Sequence, residues 1–233
     1  MAVVTLTTLR ARARERADMP IAGFVPESVT GIDAWINEGV QKLHEMMVKA
    51  YGEDLLETIA TQNTVAGQSD YALPTDHFVF NSAKLTIGGV EITLTPYENT
   101  EASLMKNKSI FGNWNYRPYY KLTGGAAKIP PKIRLLPAPD GVYPLAIHYS
   151  PVATLLVASG DSIDYPNGWE RYVVCYTAIQ MMIKEESDVR ELRTELDKME
   201  LELETIARRR NADRSHSAVD VESVEIDGPY NYF

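Results

Sequence analysis

Apolar residues recur at helical spacing toward both ends of the chain and at strand spacing through its middle. Near the start, Leu6, Leu9, Ala13 and Ala17 form a narrow stripe. It predicts a helix over Thr5 to Asp18, capped by Thr5 or Thr7 and stopped by Met19-Pro20. A second helix, capped by Ser28 or Thr30, runs to about Ala50 with Ile32, Trp35, Ile36, Val40, Leu43, Met47 and Val48 at helical spacing and Gly52 as a stop. From Asn167 to Arg210 the spacing predicts one unbroken helix, because the run holds no Pro and its one Gly, Gly168, falls in the first turn. Such a helix is about 65 Å long. Its first half is apolar on two sides, Trp169, Tyr172, Val173, Tyr176, Ile179 and Ile183 on one and Cys175, Ala178 and Met182 on another, so it packs on more than one side. Its second half thins to a seam of Val189, Leu192, Leu196, Met199, Leu203 and Ile206, suited to a neighbouring subunit or a partner helix.

Between these helices the period falls to two. Thr58 to Val65 alternates, a Gly-Gln-Ser-Asp turn leads to Tyr71-Ala72-Leu73-Pro74, and His77 to Ile87 is joined to Val90 to Leu94 by Gly88-Gly89. Tyr97 to Lys106 is expected as a short helix and Asn107 to Arg117 as an exposed polar and aromatic loop. Tyr119 to Leu122, Lys132 to Leu136 and Tyr143 to Tyr149 are three further strands, and short strands with such turns form an antiparallel sheet or small barrel.

The two outer helical regions carry stripes too large to leave in water, and covering one with the other makes the β-region an insertion. The expected fold is therefore α+β. A helical bundle, built from the N-terminal helices and one long C-terminal helix, carries an inserted antiparallel β-domain and an extended C-terminal tail. The chain divides into N-terminal helices (1–55), the β-domain (56–160), the long helix (161–211) and the tail (212–233). Val221, Val224, Ile226, Tyr230, Tyr232 and Phe233 are the apolar and aromatic positions of that acidic tail, which suits a docking peptide.

With 233 residues, 45% hydrophobic and 24% charged, the chain is of soluble globular composition. No apolar run reaches membrane-spanning length, and Met1 to Pro20 lacks the apolar stretch of a signal peptide. A net charge of −9 argues against a dedicated nucleic-acid binder but not against a surface along which DNA slides. Arg10, Arg12, Arg14 and Arg16 on the first helix accordingly read as a solvated or subunit-contacting face, with phosphate contact as the weaker alternative. The single cysteine, Cys175, excludes an internal disulfide framework and reads as a buried helix residue, with a reducing compartment as the simplest setting. His44, His77, His148 and His216 match no metal-ligand spacing. Gly88-Gly89 and Gly124-Gly125 lie between strands, where a phosphate loop would not form, and no Ser sits in a nucleophile elbow. The expectation is a protein without catalytic or metal residues and without a cofactor.

Several segments, in order, resemble the head-to-tail adaptor (connector) proteins of tailed bacteriophages: the Leu-x-x-Leu-Arg helix at Leu6, Ile32-Asp33-Ala34-Trp35-Ile36-Asn37-Glu38-Gly39, the turn Gly67 to Asp76, Ile133 to Pro139, and the approach from Gly160-Asp161 to Trp169-Glu170. The resemblance spans Leu6 to about Arg210. It implies a structural virion protein at the head-tail interface, assembled in the host cytoplasm. Copies are expected to form a homo-oligomeric, typically dodecameric, ring that joins the portal protein to tail or nozzle proteins and continues the channel for double-stranded DNA. It also implies that the C-terminal segment grips the portal. The acidic balance fits a lumen that repels phosphate. Trp114, Tyr116 and Tyr119 form a candidate contact loop for a tail protein. The alternative is an oligomeric ligand- or glycan-binding β-domain on a helical stalk, with the same residues and Tyr120 as its aromatic platform.

Overall fold

The first helix, α1 (Leu6–Arg16), begins where Thr5 leaves extended backbone and its hydroxyl accepts the Thr8 amide, and it ends at Asp18, whose φ of 55° is left-handed. The Met19 amide closes onto the Arg14 carbonyl at 2.9 Å and the Asp18 amide onto Glu15 at 3.2 Å, the paired bonds of a Schellman cap. This computed structural model describes residues 4–19, 25–28, 31–51, 56–98, 118–125, 130–163, 165 and 168–216. The expected stop at Gly52, the start at Pro166-Asn167 and the loop Asn107 to Arg117 lie outside them.

The second helix, α2 (Ile32–Tyr51), buries Ile32, Ile36, Val40, Leu43 and Met47, the stripe expected from its sequence. Each such side chain contributes roughly 1.5 to 3 kcal/mol when fully buried. The expected single C-terminal helix is instead two, α3 (Glu170–Lys184) and α4 (Arg190–His216). Glu186 adopts a φ of 61°, and the amides of Glu186 and Ser187 bond the carbonyls of Ile183 and Met182 at 3.1 and 3.0 Å, a second Schellman cap with Glu where Gly is usual. Asp188 then caps the new helix, its carboxylate accepting the Arg190 amide at 3.0 Å. Absence of Gly and Pro did not protect the run, because Ser187-Asp188 offers a cap. The last helix also continues to His216, past its expected end at Arg210.

The four helices of the described residues share one core. α3 is buried almost all round from Tyr172 to Ile179, between α1, α2 and α4, as its broad apolar surface requires. Gly39 on α2 permits that closeness, since a Cβ there would lie 3.1 Å from the Tyr176 ring.

The inserted region is a two-sheet sandwich. Strands β1 (Thr58–Asn63), β2 (Asp70–Ala72), β3 (His77–Ile87), β4 (Val90–Thr93), β5 (Thr95–Pro96), β6 (Tyr119–Thr123), β7 (Lys132–Leu136) and β8 (Pro144–Pro151) pair in the orders β1-β8-β3-β4 and β2-β7-β6-β5. Every pairing is antiparallel except the two-residue β5-β6 contact. Gly88 and Gly89, with φ of 58° and 83°, make the tight β3-β4 turn. Tyr97 does not start a helix: its amide bonds the Tyr120 carbonyl at 3.0 Å and extends the β5 pairing. The rest of that expected helix, from 99 on, lies outside the described residues. Tyr71, Leu73, Ala83, Leu85, Ile133, Leu135, Leu145 and Ile147 form the sandwich core, separate from the helical one.

Candidate functional site

Four residues on α2 tie the bundle together and to the insertion, and three of them fall in the Ile32 to Gly39 segment. Asp33 accepts both ends of the Arg10 guanidinium, Nε at 2.7 Å and Nη2 at 2.8 Å, fixing α1 on α2. The Asn37 amide reads the backbone of Leu156 twice, donating to its carbonyl at 3.0 Å and accepting its amide at 2.7 Å. That grip holds the segment returning from the sandwich. Gly39 is the close approach to Tyr176.

The fourth, His44, sits at the joint. Its Nε2 faces the Pro151 carbonyl at 2.8 Å and can only donate there, so in the neutral ring Nδ1 is the acceptor for the Tyr165 hydroxyl at 2.9 Å. The ring also meets Phe78 edge-on at 5.5 Å. Burial pushes the imidazole below its ordinary value, against the opposing pull of the Pro151 carbonyl. An unfolded histidine takes its proton near pH 6.5, and this one resists until lower pH. Its contribution is thus complete above about pH 6.5 and falls away as pH drops toward the folded-state value. The midpoint of urea unfolding should fall between pH 7.5 and 5.5, and His44→Asn should flatten that dependence while costing about 1 to 3 kcal/mol at neutral pH. A variant with the wild-type pH slope would remove His44 from this role.

Elsewhere on the bundle, α1, α3 and α4 border a cleft of about 910 Å³ lined by both charges. Glu195 on α4 receives Arg171 of α3, Nη2 at 2.7 Å and Nε at 2.9 Å, and also Arg16 of α1. Desolvation acts to raise the Glu195 carboxyl, and the guanidinia of Arg171 and Arg16 outweigh it, holding it below the usual carboxylate value. Cys175 lies at the floor, its thiol donating to the Leu192 carbonyl at 3.3 Å. Burial and the nearby Glu195 charge push that thiol up to about 11, so it stays protonated and unreactive.

Of the α1 arginines, Arg10 and Arg14 turn inward, a correction to the solvated face expected of them, while Arg12 and Arg16 stay exposed as expected and also reach acids of the same chain. Arg10 is held by Asp33 and Glu27, Arg12 lies 3.9 Å from Glu170, Arg14 donates to the Val25 carbonyl at 2.8 Å, and Arg16 reaches Glu195. Local spacing on α1 gave no sign of these acids, which come from three other parts of the chain.

The seam on the last helix turns inward. Met199 and Leu203 are buried, and Val189, Leu192 and Leu196 are partly buried against the bundle core, so the partner helices in this conformation are α2 and α3 of the same chain. Ile206 is half-buried. Tyr119 is half-buried in β6, and Tyr120, also half-buried, packs on Phe80 at 5.0 Å against the sandwich core. Trp114 and Tyr116, and the tail positions Val221, Val224, Ile226, Tyr230, Tyr232 and Phe233, lie outside the described residues.

Sequence spacing also missed a cross-strand pair at the 67–76 turn. Arg134 on β7 forks onto Asp70 on β2, at 2.6 and 2.9 Å, in direct register. Tyr71 donates to the Gln68 carbonyl at 2.8 Å and accepts the Val65 amide at 3.0 Å, stapling the turn. Alternating Asp and Arg opposite one another was a legible signal only once β2 and β7 were known to pair.

Exposed apolar side chains gather on the returning segment, at Val152, Leu155 and Val157. Among the described residues no group of His, Cys, Asp or Glu is placed to hold a metal ion, and no helix is long and apolar enough to cross a membrane. Residues 4–222 match the family model of the SU10 adaptor protein. No curated protein matches the chain.

Proposed function

The chain belongs to the SU10 adaptor protein family, which are phage head-to-tail connectors, and from that premise we propose that its copies close into a dodecameric ring beneath the portal. Its role is that of a structural virion protein joining head to tail, not a catalytic one. Its interactions are with portal and tail components, as is typical of such connectors. The observation that carries the ring reading is the extent of the match, which takes in both the bundle and the inserted sandwich.

In this reading the bundle stands side by side with its neighbours and encloses the DNA channel. The net charge of −9 supports passage without retention, because lumen carboxylates repel phosphate. The segment after His216 docks on the portal through Val221, Val224, Ile226, Tyr230, Tyr232 and Phe233, whose apolar and aromatic side chains suit strand addition or aromatic pockets. Trp114, Tyr116 and Tyr119 face the next tail protein.

The test is the mass, by native mass spectrometry, of the full-length chain and of a chain ending at His216, each alone and with the portal protein of the same phage. Ending at His216 keeps the last helix whole. A large complex containing both proteins, formed only by the full-length chain, is the expected result. A full-length chain that ignores the portal would overturn the connector reading, and a truncated chain that still assembles would remove the tail as its clamp.

A further inference from the structure

The two sheets of the sandwich end differently. In the sheet β2-β7-β6-β5 both edge strands are short and guarded, β2 by the Asp70 carboxylate with its Arg134 partner and β5 by Pro96. In the sheet β1-β8-β3-β4 the edges are open. β1 runs for six residues, Thr58-Ile59-Ala60-Thr61-Gln62-Asn63, without a charge, a Gly or a Pro, and its Ile59 is 55% exposed. At the other edge the β3-β4 hairpin leaves Val90 53% exposed. Among the described residues β1 pairs with β8 alone and β4 with β3 alone.

The backbone bonds identify the groups left over at each edge. The Thr64 amide donates to the Tyr143 carbonyl at 2.9 Å in line with the β1-β8 register, so Thr58, Ala60 and Gln62 bond inward and the amides and carbonyls of Ile59, Thr61 and Asn63 point outward. The Leu94 amide donates to the Ala83 carbonyl at 2.9 Å in line with the β3-β4 register, so Val90 and Ile92 bond β3, and Glu91 and Thr93 point outward.

We propose that β1 of one copy pairs antiparallel with β4 of the next, so that this sheet continues from copy to copy. It rests on the ring reading above, which supplies the neighbour. Direction, face and register each fit. Every strand of the sheet is antiparallel to the one beside it and there are four of them, so β1 and β4 run in opposite directions. Copies in a twelve-membered ring are turned by only about 30° from one to the next, close to a translation, and this sets β1 antiparallel to the neighbour's β4. The outward groups on both edges also belong to one face. Ile59 and Thr61 stand opposite His148 and Ala146, and Glu91 and Thr93 opposite Thr86 and Lys84, all on the side away from the sandwich core, while Ala60 and Ile92 lie on the side of Ile147 and Leu85. Joining the edges therefore keeps the core side continuous.

One register keeps the faces matched and places all of β4 within β1: Ile59 opposite Thr93, Ala60 opposite Ile92, Thr61 opposite Glu91 and Gln62 opposite Val90. Ile59 with Thr93, and Thr61 with Glu91, then exchange two hydrogen bonds each. Glu91, 3.5 Å from Lys84 of its own chain, meets no like charge on β1. So short a pairing does not hold two free copies together, and it forms when the portal sets copies side by side. The contact is head to tail, and its repetition closes a ring. Four strands at about 4.8 Å give each copy about 19 Å of sheet, so twelve copies enclose a circle roughly 70 Å across, wider than a DNA duplex.

Thr61→Cys combined with Glu91→Cys supplies the test. Both side chains are exposed, and β8 and β3 stand between them within one chain, so an oxidised link joins different copies. The native Cys175 is buried and takes no part. Oxidised in dilute solution, the double variant should run as a monomer on non-reducing gels. Oxidised after assembly on the portal protein of the same phage, it should give a ladder of covalent chains of several copies. Each single variant, whose cysteines lie about 19 Å apart around the ring, should give no ladder. Assembled double-variant rings without a ladder would overturn the sheet continuation and leave the connector reading intact, and a wild-type chain that ignores the portal would end both. Should the cysteines prevent folding or assembly, hydrogen exchange on the wild-type chain decides: the amides of Ile59, Thr61, Glu91 and Thr93 should slow together, at least tenfold, on assembly. Slowing at β1 alone would put a different strand there, such as the tail of this chain, and would overturn the proposal, as would unchanged rates.

Discussion

Asp33→Ala should lower the stability of the helical bundle by about 2 to 3 kcal/mol. The carboxylate it removes is the bidentate partner of Arg10, and the two side chains are only 11% and 14% exposed. Deleting one member of a buried pair strands the other charge, at about 3 to 5 kcal/mol where burial is complete. Here the residual exposure and the second acid, Glu27 at 3.4 Å, reduce that figure. Asp33→Asn, which keeps an acceptor and the shape, should cost about 1 kcal/mol. Urea unfolding followed by helical circular dichroism measures each, and a cycle with Arg10→Ala isolates the pair. Additive losses from the two single variants would show that the contact contributes nothing of its own.

The second large effect belongs to the sandwich. Ile147 is 1% exposed on the central strand β8 and stands opposite Ala60 of β1 and Ala83 of β3. With alanines at both cross-strand positions, the adjacent strands offer no large side chain to fill the space that truncation leaves, so Ile147→Ala should cost about 3 kcal/mol. Because the helical and sheet cores are separate clusters, the loss should be local. Hydrogen exchange should quicken along β1, β3 and β8 while amides of α2 and α3 keep their protection. Equal loss in both regions would mean that the two cores unfold as one.

Periodicity made most of this fold legible. The bounds of β3 and β7, the Gly88-Gly89 turn and the stripe from Ile32 to Met47 follow from spacing alone, since each is decided by residues within one element. What spacing did not show depends on residues far apart in sequence. The inward turn of Arg10 and Arg14 was not legible on α1, because Asp33 and the Val25 carbonyl reach them from other parts of the chain. The break at Glu186 carries no glycine to mark its Schellman turn, and Asp188 supplies the cap that follows. His44 had no partner at ligand spacing, yet its partners are a backbone carbonyl and a tyrosine on the returning segment. The portal-docking positions were chosen from tail chemistry, which names the kind of contact but not its address.

An insertion also fixes an order of events during synthesis. The sandwich lies wholly between Thr58 and Pro151, so its strands can pair as soon as they emerge from the ribosome. The stripe on α2 must wait for α3, which begins at Glu170. At roughly 5 to 20 residues per second, that wait is on the order of ten seconds. Throughout it, Ile36, Val40, Leu43 and Met47 lack the helix that covers most of them, and the nascent chain is most open to aggregation and to chaperones. The bundle is thus begun before the sandwich and completed only after it.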